Sequence, residues 1–484
     1  MSRPLRDVAA RVDLLLDLLR PALDGTGPAL RVTSRARASG AARTADEASC
    51  DRARDDERSD AEGCDDEVPD DVALVVATSG STGEPRAALL TAAGLRASSL
   101  ATERRLSGPG RWLLALPVDH VAGLQVLVRS VLAGTRPAVV ADAHFTPDAF
   151  TAAVATMTDE RADTATDDDA TDDATTADPG ATGSAPGGRP AVEPAAEPAA
   201  GPALRRSLPR YVSLVPTQLV RILDDDAATA AARTFDAILL GGAAAAAPLL
   251  ARARDAGLRV VTTYGMTETC GGCVYDGVPL DGVQVRLDDD GRVLLGGDVL
   301  AAGYLGRADL DATTFVERDG TRYLRTSDLG RIDDGRLTVL GRADDVVVTG
   351  GVNVAPAAVE AALATLPGVA EALVVGVPDD EWGQAVVALV VLDTGAAPSS
   401  ARASSDARPS DATSSDGRPS VDLATVRAHV ASALGAPFAP RHLVVVDALP
   451  LRGPGKPDRR TARTLVETHL ASSTAQPTSP GSPA

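Results

Sequence analysis

The 484-residue chain has very few aromatic side chains: two Trp, five Tyr and five Phe, 2% of the total. Ala, Val and Leu must therefore fill the core, which the 44% hydrophobic content permits. Cysteine is equally scarce. Cys50 and Cys64 fall in a polar, acidic stretch, and Cys270 and Cys273 form a single C-x-x-C with no second pair and no nearby His. A zinc site needs about four ligands, so zinc is argued against. That leaves a redox pair or two small residues packed behind a loop. No apolar run is long enough to cross a bilayer. Charges interrupt the apolar positions of Met1 to Arg20, so no cleavable signal is expected and a cytoplasmic location follows. Lysine is almost missing: of 47 basic side chains, only Lys456 is lysine. Arginine is planar and permanently charged, whereas lysine is a compact point charge on a flexible stem. Lys456 is either a chance survivor of an arginine-biased composition or does chemistry that a guanidinium cannot.

The formal net charge of −20 is concentrated in two segments. Residues 46–71 hold 13 acidic and 3 basic side chains, and residues 157–203 hold 11 and 2. Neither has hydrophobic periodicity, so both read as solvated linker or insert, as do 31–70 more broadly, 395–420, and the tail 472–484. The remainder is close to neutral. The acidity thus says little about a substrate and argues against nucleic acid as a partner.

Between these segments the pattern is mixed. Residues 5–20 carry apolar positions at helical spacing. Val72 to Ala77 reads as a buried strand. Leu89–Arg104, Leu124–Ala133, Pro147–Ala155 and Ala247–Ala256 read as helices, and Tyr211–Val215, Ala237–Leu240 and Arg259–Thr263 as strands. Residues 283–340 turn to short strands with Asp- and Gly-rich turns. After about Arg342 comes a smaller unit with helices Pro356–Thr365 and Leu423–Leu434 and strands Ala370–Val377, Ala385–Leu392 and His442–Val446. The expected architecture is a large α/β domain (1–341) with a β-rich subdomain, plus a small mobile α+β domain (342–471).

Five loops carry candidate chemistry. Thr78, Ser79, Gly80, Ser81, Thr82 and Gly83, then Arg86, follow a buried strand: glycines admit close backbone approach, and hydroxyls and N–H groups make an anion nest. It is not a Walker sequence. Tyr264-Gly265-Met266-Thr267-Glu268 is either an ordinary strand-end turn or a site where a hydroxyl beside a carboxylate holds phosphate and Mg²⁺ together and the Tyr ring stacks on a base. Asp328, after Thr326-Ser327, is either a turn residue or an acceptor for ribose hydroxyls. Gly341 to Asn353 suits a hinge. Gly453-Pro454-Gly455-Lys456 is an exposed turn that presents one ammonium.

In this order the five loops resemble the acyl-activating family of adenylate-forming enzymes, which includes acyl-CoA synthetases, luciferases and peptide-synthetase adenylation domains. The resemblance covers most of the chain outside the inserts. It implies an acyl-CoA synthetase-like fold and a two-step reaction: a carboxylate attacks the α-phosphorus of ATP, then a thiol, usually that of CoA, displaces AMP. It further implies that Thr78 to Gly83 hold the β/γ-phosphates, Thr267 the α-phosphate and Glu268 Mg²⁺. Gly241, Gly242 and Ala243 would line the adenine pocket with Tyr264 and Gly265. Asp328 and Arg342 would bind ribose, Asp344 would be the hinge, and Lys456 would serve the first step only. Gly350 and Gly351 would face the site in the second step. Arg86 stands where the family usually has lysine, which keeps the charge.

Within the family, Leu116 to Gln125 and Ser213 to Leu219 resemble the 2-succinylbenzoate–CoA ligases of menaquinone biosynthesis. His120 would lie near the acyl and thiol tunnel, with packing as a core histidine the alternative. Ser213, Thr217 and Gly265 would line the acid site, and Arg221, one turn beyond Thr217, would pair the acid's second carboxylate unless it is merely a solvated helix residue. The open alternatives are a CoA ligase for another aromatic or medium-chain acid, an acyl-adenylate donor to a carrier protein, and a non-catalytic nucleotide binder. The oligomeric state, a homodimer included, is not legible.

Overall fold

The computed structural model describes residues 2–33, 67–79, 85–141, 145–157, 208–393, 421–452 and 456–474. Three sheets build the larger part of the protein. The first is six-stranded and contains the apolar run Val72–Ser79, whose Val72 to Val76 are fully buried. It pairs antiparallel with Pro85–Thr91, in register Thr78 with Arg86, so the stretch between them joins two strands of a hairpin. Residues 80–84, including Gly80, Ser81, Thr82 and Gly83, lie outside the described residues.

The second sheet is the frame of the site. Arg111–Leu114, Ala138–Val139, Arg210–Leu214, Ala237–Leu240 and Val260–Met266 run parallel, extended antiparallel by Gly271–Tyr275 and Val278–Pro279. Their buried Leu, Ile and Val side chains make the continuous apolar runs expected of strands covered on both faces. Two of the few aromatics are spent here: Trp112 and Tyr211 are buried with ring centroids 5.1 Å apart, and the Arg129 guanidinium lies 4.9 Å from the Trp112 centroid. The third sheet is antiparallel, Gln284–Leu287, Arg292–Gly296, Phe315–Arg318, Thr321–Asp333 and Arg336–Arg342, turning at Gly291 and at Asp334-Gly335, which take positive φ.

The smaller unit is a sheet between helices. Val347–Thr349, Val352–Val354, Val369–Asp379, Gly383–Leu392 and His442–Val445 form the sheet. Val374, Val386 and Ala388 bury against helices Pro356–Leu363 and Leu423–Leu434. On the other face Leu373, Val375 and Val387 bury against Arg459–Thr474. Each fully buried Leu or Val contributes roughly 1.5–3 kcal/mol of transfer free energy, so alternation along one strand serves two cores.

Several expectations need correction. The helical spacing over 5–20 covers a strand, Ser2–Ala9, and then a helix, Val12–Asp24. Leu5 and Val8, three apart, suit a helix; in the strand they point to opposite faces and bury in different clusters, and sheet pairing with Ala29–Thr33 and Glu67–Pro69 decides. Those two strands also trim the expected linker 31–70 to 34–66, which lies outside the described residues. The helix expected from Leu89 begins at Ala92, because Pro85–Thr91 pairs on both edges and Thr91 caps the helix, accepting from the Gly94 N–H at 2.9 Å. The helix Arg459–Thr474 was not foreseen and runs into the expected tail at 472. Beyond Met157 and residues 472–474, the segments 157–203, 395–420 and 472–484 lie outside the described residues.

Candidate active site

The parallel strands of the second sheet end together, and the candidate residues follow their carboxyl ends, where open α/β sheets bind ligands. Gly241 follows Ala237–Leu240, Thr217 follows Arg210–Leu214, and Thr267 and Glu268 follow Val260–Met266. Two glycines are required by contact. A Cβ on Gly241 would lie 2.3 Å from Thr263 Oγ1, and one on Gly265 2.2 Å from the Gly271 carbonyl oxygen. Gly265 also sits at a register shift with the strand Gly271–Tyr275, a bulge that re-aims the chain into the site. Gly242 takes φ +81°, and Ala243 is half-buried.

Glu268 sits in a 3-10 turn, its backbone carbonyl accepting from the Ala301 N–H at 2.8 Å. Its Oε1 accepts the Tyr304 hydroxyl at 2.7 Å. Tyr304 is buried, reached by pairing of Gly303–Tyr304 with Leu89 and Ala88, and the Arg86 guanidinium lies 5.8 Å from its ring centroid. Burial first, then the negative Glu268, pushes the Tyr304 phenol above its ordinary pKa, so it stays a donor. Oε2 of Glu268 has no protein partner among the described residues. Those residues hold no cluster of three metal-ligating side chains. Glu268 Oε2 is the oxygen that would help hold an Mg²⁺ arriving with ATP, a cation bound through one or two carboxylates plus substrate phosphates.

Asp328 is the second anchored carboxylate. Its Oδ2 accepts the Tyr264 hydroxyl at 2.7 Å, and its backbone N–H donates to Thr326 Oγ1 at 3.1 Å. Arg342 lies 3.8 Å from Oδ1. Burial, then Asp328, raises the Tyr264 phenol pKa. Acceptor capacity remains on Oδ1 for a pair of hydroxyls. Arg342 donates to Asp344 Oδ2 at 2.6 Å. Burial favours a neutral Asp344, but Arg342 and the Ser327 hydroxyl outweigh it and hold the pKa below the usual carboxylate range.

Lys456 comes from the smaller unit, on a two-stranded hairpin pairing Arg452 with Lys456. Its side chain keeps contact with solvent, yet its ammonium is within electrostatic reach of Glu268 and Asp328. Desolvation, then Arg452 and Arg342, lowers its pKa against the opposing pull of the two carboxylates. His120, at the N-terminus of the helix Val121–Ala133, is half-buried and feels the same lysine. Burial is the largest cause lowering its pKa; Asp119 opposes it and Lys456 adds to it, so the imidazole is held neutral.

The structure therefore brings Glu268, Tyr264, Asp328, Arg342, Lys456, His120 and Arg86 into one neighbourhood. Thr78 is half-buried on its strand, and Ser79 ends that strand. Ser213 is buried, and Thr217 half-buried in the first turn of Pro216–Leu223. Arg221 donates to the Phe145 carbonyl at 3.0 Å, and its charge reaches Glu371 of the smaller unit. Gly350 and Gly351 take positive φ in a turn whose Gly350 N–H donates to the Trp382 carbonyl at 2.9 Å. No hydrogen bond or ion pair joins them to Glu268 or Lys456 among the described residues. Sequence reading missed Tyr304, and it placed Thr326 and Ser327 in the third loop without giving either a role. Their only local signal is a hydroxyl near a glycine or an Asp, and the pairing that gives Tyr304 its role spans 36 residues. Cys270 and Cys273 are buried free thiols behind the Glu268 turn; burial raises both, Cys273 to about 12, as expected of packing residues.

Two family models match: AMP-binding enzyme over residues 5–165 and 187–305, and AMP-binding enzyme C-terminal domain over 358–456. A probable 2-succinylbenzoate–CoA ligase of Mycobacterium tuberculosis is 42% identical over 397 residues, covering 81% of this chain and 84% of that protein. Among solved structures, o-succinylbenzoate CoA synthetase (MenE) from Bacillus subtilis in complex with the acyl-adenylate OSB-AMP aligns with TM-score 0.59 at 22% identity, over 94% of this chain and 83% of that one. The same enzyme with ATP and magnesium ion aligns with TM-score 0.57 at 23% identity, over 92% and 81%. These two likenesses speak to fold. The family matches, spanning both the parallel sheet and the lysine-bearing unit, settle membership: the chain belongs to the AMP-binding enzyme family.

Proposed function

We propose that this chain is an ATP-dependent acid–CoA ligase acting through an acyl-adenylate, and that its acid is 2-succinylbenzoate. One observation carries the mechanism: the single lysine of the chain, carried by the smaller unit, comes within electrostatic reach of two hydrogen-bonded carboxylates of the larger one. In the first step a carboxylate oxygen of the acid bonds to the α-phosphorus of ATP and the bond to pyrophosphate breaks. Lys456 bridges the carboxylate and α-phosphate as charge builds between them. Thr78 to Gly83 and Arg86 hold the β/γ-phosphates, and Thr267 the α-phosphate. Glu268 holds the magnesium that comes with ATP, which supplies charge neutralisation there. Asp328 and Arg342 bind the ribose. Tyr264, with its hydroxyl pinned by Asp328, offers its ring to the adenine beside Gly241, Gly242 and Ala243. In the second step the smaller unit turns about Asp344, withdrawing Lys456 and presenting Gly350 and Gly351. The CoA sulfur then bonds to the acyl carbon as AMP leaves.

The acid assignment is supported by the likeness to proteins named as 2-succinylbenzoate–CoA ligases. Neutral His120, Ser213, Thr217 and Gly265 would contact the acid, with Arg221 for its second carboxylate. We also propose a cytoplasmic location, where the CoA thiol stays reduced; among the described residues no helix is long and apolar enough to cross a membrane. The test is pyrophosphate release with ATP, Mg²⁺ and a panel of acids, with and without CoA. Strong preference for 2-succinylbenzoate with formation of its CoA thioester is expected. Preference for another acid would keep the chemistry and overturn the substrate, and silence with every acid would overturn both.

A further inference from the structure

Lys456 sits on a strand of two residues, which by itself fixes an ammonium poorly. What holds it lies three residues on. The Asp458 N–H closes the hairpin on the Pro450 carbonyl at 2.8 Å. The Asp458 carboxylate caps the next helix, accepting from the Thr461 N–H and hydroxyl at 3.2 and 2.9 Å. Arg459, the first residue of that helix, then ties three elements together. Its Nε donates to Asp345 Oδ2 at 3.1 Å, and its Nη1 to the Val374 carbonyl at 2.7 Å. Nη1 and Nη2 together grip both oxygens of Glu360, with Nη2 to Oε2 at 3.0 Å. Glu360 in turn accepts the Val374 N–H at 2.8 Å. Arg459, Glu360 and Asp345 keep only 23%, 20% and 29% of their side-chain surface. Four of the five N–H donors of the fork are thus used, in a part-buried site where one cation meets two carboxylates. Asp345 is the neighbour of Asp344.

We propose that Arg459 is a positioning residue that locks the Lys456 hairpin to the hinge turn Ala343–Asp345, so that rotation at Asp344 carries the ammonium in and out as one rigid piece. The inference rests on Lys456 serving the first half-reaction. A guanidinium fork is needed: a lysine at 459 keeps the charge but cannot span Glu360 and Asp345 together. Looseness of about 1 Å at a reacting group costs on the order of a hundredfold in rate.

The test separates half-reactions. In Arg459→Lys, single-turnover pyrophosphate release should fall roughly ten- to hundredfold, and thioester formation from supplied acyl-adenylate should stay within about threefold. In a Lys456→Ala background, Arg459→Lys should cause no further fall in the first half-reaction, because the group it positions is gone. Equal loss of both half-reactions, or an additional fall in the double variant, would make Arg459 a purely structural residue and overturn the proposal. If Arg459→Lys does not fold, Asp345→Asn carries the same test: it weakens only the hinge-side contact, should give the same split at smaller size, and an even loss would overturn the latch. Intact pyrophosphate release in Lys456→Ala alone would instead remove the reading of Lys456 on which the latch depends.

Discussion

The two halves of the candidate site are held in different ways. On the large-domain side, Glu268 and Asp328 each accept a tyrosine hydroxyl at 2.7 Å, and both tyrosines sit on strands paired within a sheet. On the other side, Lys456 rides on a hairpin of two residues per strand with solvent beside it, and Gly350 and Gly351 form an open turn. The first half is built before any substrate arrives. In the proposed reaction the second is delivered. Preorganised carboxylates cost no reorganisation during reaction, whereas a delivered ammonium can be withdrawn when the chemistry changes. One static half and one exchangeable half is what a two-step reaction through a single site requires.

Removing the delivered charge should break the difference most sharply. Lys456→Ala is expected to lower adenylation, read as pyrophosphate release, roughly a hundred- to thousandfold, the scale of losing one charge-stabilising donor. Thioester formation from supplied acyl-adenylate should persist. Equal loss would mean that Lys456 stays in the site throughout. Freezing the delivery comes next. Asp344→Pro fixes φ within the 3-10 turn Ala343–Asp345 and replaces the carboxylate that pairs Arg342. It should cut thioester formation more than adenylation, by roughly a hundredfold if the second geometry is missed. Comparable loss in both steps would move the hinge elsewhere.

Much of this arrangement could be read from the chain, and what was missed has a common cause. Strand-to-loop junctions such as Leu240-Gly241 and Met266-Thr267 announce themselves because apolar runs end abruptly in small and hydroxyl residues. Lys456 was conspicuous as the single lysine among 47 basic residues. Tyr304 and Arg459 were silent because their partners are set by packing: Tyr304 meets Glu268 36 residues away, and Arg459 meets Glu360 99 residues away and Asp345 114 away. The Ser2–Ala9 strand reads as helix because its apolar positions, Leu5 and Val8, are three apart, a helical spacing; in the sheet they face opposite sides, into two different clusters. Residues 80–84 remain a sequence reading only; the structure supplies the hairpin that bounds them.

Smaller changes sharpen the contrast. Tyr264→Phe deletes the hydroxyl on Asp328. A hydrogen bond to a charged acceptor contributes about 1.5–3 kcal/mol, and the aspartate retains Arg342 and its own turn, so the lower end applies. KM for ATP should rise roughly tenfold with little change in the partition between half-reactions; a selective loss of one step would show that the fixed half also moves.

The smallest effect is a difference in pH profile. Desolvation and neighbouring arginines lower the Lys456 pKa below its ordinary value, about 10.4. In the proposed mechanism adenylation needs the protonated amine, so kcat/KM for pyrophosphate release, which reports the free enzyme, should decline on an alkaline limb that begins below that value. Bound triphosphate favours the ammonium, so the limb on kcat should lie higher. Thioester formation from supplied acyl-adenylate should move in the opposite sense, rising as the CoA thiol ionises to the nucleophilic thiolate. In Lys456→Arg the alkaline limb of adenylation should disappear, whatever rate remains, because a guanidinium holds its proton across this range. A limb that survives that substitution would belong to another group, and the charge that enters and leaves this site would not be that of Lys456.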